Sequence, residues 1–202
     1  YIMPGFELAK KASEVFDKNP NVKGLILLNH GIFTFANNAK ESYERMIKYI
    51  TKAEKELTKK SKFIRVSKYV EKKISISEVS NLIRQQIANK RGDDFERKVV
   101  HFNKPKFFDE LFSHPNLKKF TNEGPVTPDH VIRIKSKPLI IDLSKEKSND
   151  LEKFIIQSIE SFKENYKKYF KRNHKYNSSA SMLDPHPRLI LVKGIGIFST
   201  GP

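Results

Sequence analysis

The sequence predicts a fold of the α/β or α+β class, on three observations. Two long segments carry apolar residues at alternating steps of three and four, the spacing that gives a helix one apolar stripe. Several apolar runs of four or five residues stand between turn-forming residues and are too short for helices. The two kinds of segment alternate along the chain, which places helices beside a sheet.

In order, Pro4 suits a first helical turn, and Leu8, Ala12, Val15 and Phe16 continue at helical spacing until Asn19-Pro20 stops the pattern. Residues 24–28 read as a buried strand, interrupted by Asn29-His30-Gly31, and residues 32–35 resume extended character. Asn37-Asn38 then opens the clearest helix of the chain. Ala39, Tyr43, Met46, Ile50, Ala53 and Leu57 form its stripe, Asn38 caps it with Glu41 three residues on, and Lys59-Lys60 complements its dipole. A further helix is predicted over about 78–90, with Ser77 as cap, Val79, Leu82, Ile83 and Ile87 inward and Gly92 as stop. Residues 98–102 read as a strand. Across residues 104–137 short aromatic turns and prolines predominate, with Phe107, Phe108, Leu111 and Phe112 on one small apolar face. Residues 138–143 read as a strand, Leu151, Phe154, Ile155, Ile159, Phe162, Tyr166 and Tyr169 mark a second long helix, and residues 189–192 form a last strand.

Two blocks resemble each other. Leu25-Ile26-Leu27-Leu28 followed by Gly31-Ile32-Phe33-Thr34 compares with Leu189-Ile190-Leu191-Val192 followed by Gly196-Ile197-Phe198-Ser199, with one extra residue between the blocks in the second copy. Ile195 then stands opposite His30, as in a duplication whose second copy has lost a functional side chain.

The chain has 202 residues, 39 Lys and Arg against 23 Asp and Glu, and a formal charge of +16. Such a charge raises a nucleic-acid groove as one reading. The lysines, however, are scattered as singles and pairs between acidic residues, and no block reaches five like charges, so they read as a solvated surface rather than a nucleic-acid site. A positive field also suits a sugar-phosphate substrate. With no cysteine, thiolate metal sites and disulfides are excluded and any metal must use His, Asp or Glu. No run approaches a membrane span and the start lacks a signal-peptide layout, so a cytoplasmic protein without a membrane partner is expected. Tyr1 and the stop at Gly201-Pro202 after an apolar run read as a fragment, incomplete at both ends.

His30 is the most informative residue. At a strand end, between Asn29 and Gly31, its ring can face a cleft and serve as metal ligand or as acid or base; the bland alternative is a histidine satisfied within its own turn. His101, His114, His130, His174 and His186 show no metal-ligand spacing, and Asp129-His130 are adjacent on a helix and do not face each other. Gly194-Ile-Gly196-Ile-Phe-Ser199 follows a strand as a dinucleotide loop does, but its sixth position is Ser and no helix follows, so no cofactor-binding residue is assigned.

The segment Gly24-Leu-Ile-Leu-Leu-Asn-His-Gly-Ile-Phe-Thr-Phe35 followed by Ala39-Lys-Glu-Ser-Tyr-Glu-Arg45 resembles the part of the class II aldolase/adducin family in which a strand ends in the third zinc-binding histidine and a helix follows. Tyr1-Ile-Met-Pro-Gly5, Gly124-Pro-Val-Thr-Pro-Asp-His-Val-Ile-Arg133, Leu183-Asp-Pro-His-Pro-Arg188 and Gly194-Ile-Gly-Ile-Phe198 are similar to bifunctional proteins described as rhamnulose-1-phosphate aldolase joined to a short-chain dehydrogenase. The resemblance implies a mostly antiparallel central sheet flanked by helices. It also implies a retro-aldol cleavage of a sugar phosphate, in which zinc held by three histidines stabilises the enolate and a carboxylate moves the proton. His30 matches the third ligand. The family's His-x-His pair has no counterpart, since no two histidines here lie two residues apart, so the zinc site is incomplete and this piece alone is expected to be inactive. NAD(P) would enter only through a dehydrogenase part outside the chain. On this reading residues 1–103 are the C-terminal part of the aldolase domain, 104–137 connect, and 138–202 form a second α/β segment, a degenerate repeat if the duplication is real. The parent would be a homo-oligomer. The rival reading from the same family is a non-catalytic, adducin-like assembly fold.

Overall fold

A computed structural model describes residues 2, 5–28, 30–60, 74–91, 94–143 and 150–201. Pro4, Asn29 and Gly92, which the sequence reading uses as helix starter, turn residue and helix stop, lie outside the described residues. The chain divides into two compact units, one of Tyr1–Arg65 with Pro125–His130 and one of Val66–Gly124 with Val131–Pro202.

In the first unit α1 (Phe6–Lys18) ends where the Asn19 amide turns back to the Phe16 carbonyl, 2.8 Å, just before Pro20. Strands β1 (Gly24–Leu27) and β2 (Gly31–Thr34) pair antiparallel as a hairpin of their own, in the register Gly24↔Thr34 to Leu27↔Gly31. Gly24 is required by close approach, because a Cβ there would meet the Phe33 carbonyl oxygen at 2.5 Å. Helix α2 (Ala39–Lys60) starts as the sequence predicts, with Asn38 Oδ1 accepting the Glu41 amide at 2.9 Å. Thr34 and Ser42 clamp its first turn to β2, each hydroxyl donating to the other residue's carbonyl at 2.8 Å.

One expectation fails in this unit, and one element carries a surprise. The run 24–28 is not a buried strand of a central sheet: Ile26 is 75% exposed and, among the described residues, β1 has only β2 as neighbour. The stripe of α2 is real but uncovered, with Tyr43 67% and Leu57 70% exposed and no buried residue in the helix. Periodicity shows which face a helix can bury, and says nothing of whether a partner is present.

The second unit holds the core. Helix α3 (Ile76–Ile87) begins two residues earlier than expected, with Ser75 rather than Ser77 at its N-cap. The short strands β3 (Asn89–Arg91) and β4 (Asp94–Glu96) form a hairpin that no apolar alternation announces. Strands β5 (Val99–Asn103), β6 (Leu139–Ile141), β7 (Leu189–Val192) and β8 (Gly196–Gly201) make one sheet in the order β5-β8-β7-β6. The pairs β5–β8 and β8–β7 are antiparallel, whereas β6 runs parallel to β7, so the sheet is mixed. That parallel pair follows from the crossover helix α7 (Leu151–Asn173), since parallel neighbours need a long return connection. Asp150 caps α7 by accepting the Lys153 amide at 2.9 Å.

Alternation along β7 gives the sheet two buried faces. Ile190 and Val192 point with Ile141 and Phe198 toward Val79, Ile83 and Ile87 of α3 and Ile155 and Ile159 of α7. Leu191 faces the other way, onto Phe108, Phe112 and Leu117. The stretch 104–137 therefore contains three short helices, α4 (Phe108–Ser113), α5 (Leu117–Glu123) and α6 (Pro128–Ile134), of which α4 and α5 cover that second face. Phe107, expected on the apolar face, is exposed instead.

Candidate functional site

His30 sits in the three-residue turn of the β1–β2 hairpin. Its amide donates to the Leu27 carbonyl at 3.0 Å, so the turn is closed by backbone and the ring is left for other uses. The ring is half-buried, lies nearly parallel to that of Phe33 with centroids 6.3 Å apart, and lines an open pocket of about 770 Å³. Leu8, Ala12 and Phe16 of α1 and Leu25, Leu27 and Phe33 of the hairpin make the pocket mostly apolar. Its walls are fixed by the edge-on contact of Phe16 with Phe35, centroids 4.9 Å apart. Lys23 and Arg45 supply positive charge. The Arg45 guanidinium is oriented by the Phe35 carbonyl and the Glu41 carboxylate, both of which it donates to.

The second hairpin repeats the first in backbone terms. Val192 pairs with Gly196 as Leu27 pairs with Gly31, and the Ile195 amide donates to the Val192 carbonyl at 3.0 Å as the His30 amide does to Leu27. No extra residue separates the strands; the correct alignment sets Leu27 against Val192 and His30 against Ile195. The glycine-containing loop 194–196 is thus the turn of an antiparallel hairpin, and Ile195 points into the core.

A histidine with a single imidazole does not hold zinc, which takes about three protein ligands at a catalytic centre. Among the described residues no group of three His, Asp or Glu side chains is placed to hold a metal ion. The described residues therefore do not by themselves fit the metal that the resemblance implies.

Of the other histidines, His130 bonds Thr127 through Nδ1 at 2.7 Å rather than its neighbour Asp129, and His114 Nδ1 accepts the Asn116 amide at 3.0 Å. His186, which shows no metal-ligand spacing, is nonetheless held in a polar cluster. It is only 6% exposed, and its Nδ1 lies 2.6 Å from Asp184 Oδ1, which also accepts the His186 amide at 3.0 Å. The Asp-Pro-His-Pro spacing carries that signal, because an Asp side chain readily bonds the backbone two residues on. Asp184 also pairs with Lys98, and Lys135, 3% exposed, donates from Nζ to the Asp184 and His186 carbonyls. The Lys135 ammonium lies 4.3 Å from the centre of the Tyr166 ring.

Burial, reinforced by the nearby Arg188 and Lys98 charges, lowers Lys135 to a pKa of about 7. Burial, then the charges of Lys98, Lys163 and Lys135, lowers His186 to about 4 and outweighs the opposing charge of Glu160. His186 is accordingly a neutral donor to Asp184 at pH 7. Buried as it is, it clasps the loop before β7.

Residues 75–202 match the family described as aldolase class II, second domain. Over its whole length the chain is also similar to a Bacillus subtilis (strain 168) protein described as uncharacterized oxidoreductase YuxG, at 26% identity over 223 aligned positions. It spans 30% of that protein's length. No solved structure matches it. His30 lies outside the stretch matched to the family and inside the stretch aligned with the Bacillus protein.

Proposed function

Because the chain belongs to the class II aldolase family through its second domain, we propose that it is part of a metal-dependent carbon–carbon lyase acting on a phosphorylated sugar such as rhamnulose 1-phosphate. In this reading His30 gives one imidazole to a divalent cation, zinc in the first instance, whose other ligands come from outside the described residues. The single observation that carries it is the placement of His30 in a closed turn, with its ring on the wall of an open pocket beside Lys23 and Arg45. Those two cations suit the phosphate of a sugar phosphate. The Bacillus relative is described as an oxidoreductase, and the reading extends to a nicotinamide-dependent dehydrogenase joined in the parent protein. The test is His30→Ala in that parent protein, with metal content and cleavage of rhamnulose 1-phosphate both measured. Loss of an outer partner of a metal ligand already costs about 10–100-fold, so loss of the ligand itself should cost at least about 100-fold in activity and empty the site. Retention of metal and turnover would remove His30 from the chemistry.

One observation favours the second reading, an assembly role of the adducin kind. The uncovered stripe of α2, with Tyr43, Ile50 and Leu57 exposed, is the sort of face that proteins bury against partners. Light scattering of the parent protein with Tyr43→Lys and Leu57→Lys separates the readings. Dissociation with full lyase activity favours assembly through α2.

A further inference from the structure

The second unit contains a groove of about 860 Å³ along one face of α7, closed opposite by α4, α5 and the chain from 135 to 140. Its floor is apolar, from Phe112, Leu117 and Leu139, and its sides carry Ser158, Asn165 and Tyr169. The charge around it is lopsided. Among the described residues that line it, Lys118, Lys137, Lys168, Arg172 and Lys193 face a single carboxylate, Asp142, while Lys135 turns its Nζ to the Asp184 and His186 carbonyls. That carboxylate has Lys193 Nζ at 3.4 Å. The chain as a whole has 39 cationic to 23 acidic side chains, so the groove is far more one-sided than the average surface.

Helix α7 shows the same asymmetry within one element. Lys163 and Lys167 are matched one turn back by Glu160 and Glu164, at 2.6 and 2.7 Å. Lys168 and Arg172, which line the groove one turn apart, make no such contact ion pair among the described residues, although the Lys168 charge is felt by Glu164. A concave site that gathers more cations than counter-charges, over a floor able to exclude water, concentrates field lines and strengthens each contact to an anion.

We propose that this groove binds a small organic phosphate, with Lys168 and Arg172 of α7 and Lys118 and Lys137 opposite engaging the phosphate group and the Phe112–Leu117–Leu139 floor taking the carbon portion. An arginine and lysines around one dianion are the usual means of phosphate capture, the guanidinium in paired geometry and the ammonium groups as point charges. The volume is that of a pocket for a single metabolite-sized ligand. The site lies wholly within the second unit and uses none of the residues around His30, so it stands or falls apart from the lyase reading.

The test is titration calorimetry of the full chain with inorganic phosphate, ribose 5-phosphate, AMP and ribose as probes, repeated with Lys168→Gln/Arg172→Gln and with Lys10→Gln/Lys40→Gln as a charge-matched control. Both pairs are exposed, and circular dichroism checks that each variant keeps its fold. A charge-assisted hydrogen bond is worth enough that losing two should weaken binding by at least about tenfold. The expected result is that ribose 5-phosphate or AMP binds more tightly than ribose, weakens with salt, and loses at least tenfold in the groove variant but not in the control. Equal loss in both variants would show a diffuse charge effect and overturn the site. So would no binding of either organic phosphate, or single-stranded RNA displacing them at lower concentration with the same dependence on Lys168 and Arg172.

Discussion

Lowering the pH from 7 to 4 should destabilise the second unit through His186 in a way that a single substitution cancels. In the folded chain its pKa lies at about 4, against 6.5 for an unfolded histidine. Between those values the unfolded chain binds a proton that the folded chain does not, so stability is full above pH 6.5 and falls as the pH drops toward 4. The difference of roughly 2.5 pH units, at 1.36 kcal/mol per unit, sets the loss at about 3 kcal/mol. His186→Asn keeps an N–H in the place of Nδ1 to donate to Asp184 and has nothing to titrate. Urea denaturation at pH 7, 6, 5 and 4 for both proteins isolates the contribution, because the carboxylates common to both cancel in the difference. The wild-type advantage should shrink by about 3 kcal/mol over that range. Parallel profiles from pH 6.5 to 4, or an imidazole resonance of His186 titrating near 6.5, would refute the reasoning.

Ile159→Ala, in the face shared by α3 and α7, should cost about 2–5 kcal/mol in chemical denaturation because the site is fully buried. Asn38→Ala removes the acceptor of the Glu41 amide and should cost about 1 kcal/mol, read as an earlier thermal loss of the α2 signal in circular dichroism. Gly24→Ala forces a methyl group against the Phe33 carbonyl and should loosen the β1–β2 hairpin, with faster amide exchange at His30 as the readout. In contrast, Leu57→Lys should leave monomer stability within about 0.5 kcal/mol, since its side chain is already in water.

Local structure was legible wherever a short-range rule dominates. Asn38 with Glu41 and the four-and-three spacing from Ala39 to Leu57 give α2 its limits, and Leu189 to Val192 can only be a strand of that length. What escaped depends on distant partners. The parallel β6–β7 pairing rests on where a 23-residue crossover helix returns the chain. The polar hairpin of β3 and β4 has no period to reveal it. The electrostatic setting of His186 depends on Lys98 and Lys135, 88 and 51 positions away, and no local spacing encodes them. At His30 the turn and the open ring were readable, because both follow from the strand end and the residues beside it. The companions that a metal would need were not, and the described residues do not supply them.

The register of β5 on β8 has a kinetic consequence. Val99 pairs with Gly201 and Asn103 with Ile197, so this ladder joins positions about a hundred residues apart, whereas β7 meets β8 across a three-residue turn. Closing the longer loop must surrender more chain freedom before any hydrogen bond rewards it. Assembly of the sheet should therefore start at the β7–β8 hairpin, with β5 adding late and Phe102 reaching Phe198 only in that step. A ribosome-bound chain stalled before residue 196 would expose β5 without its mate, leaving a strand free to pair with a neighbour during synthesis.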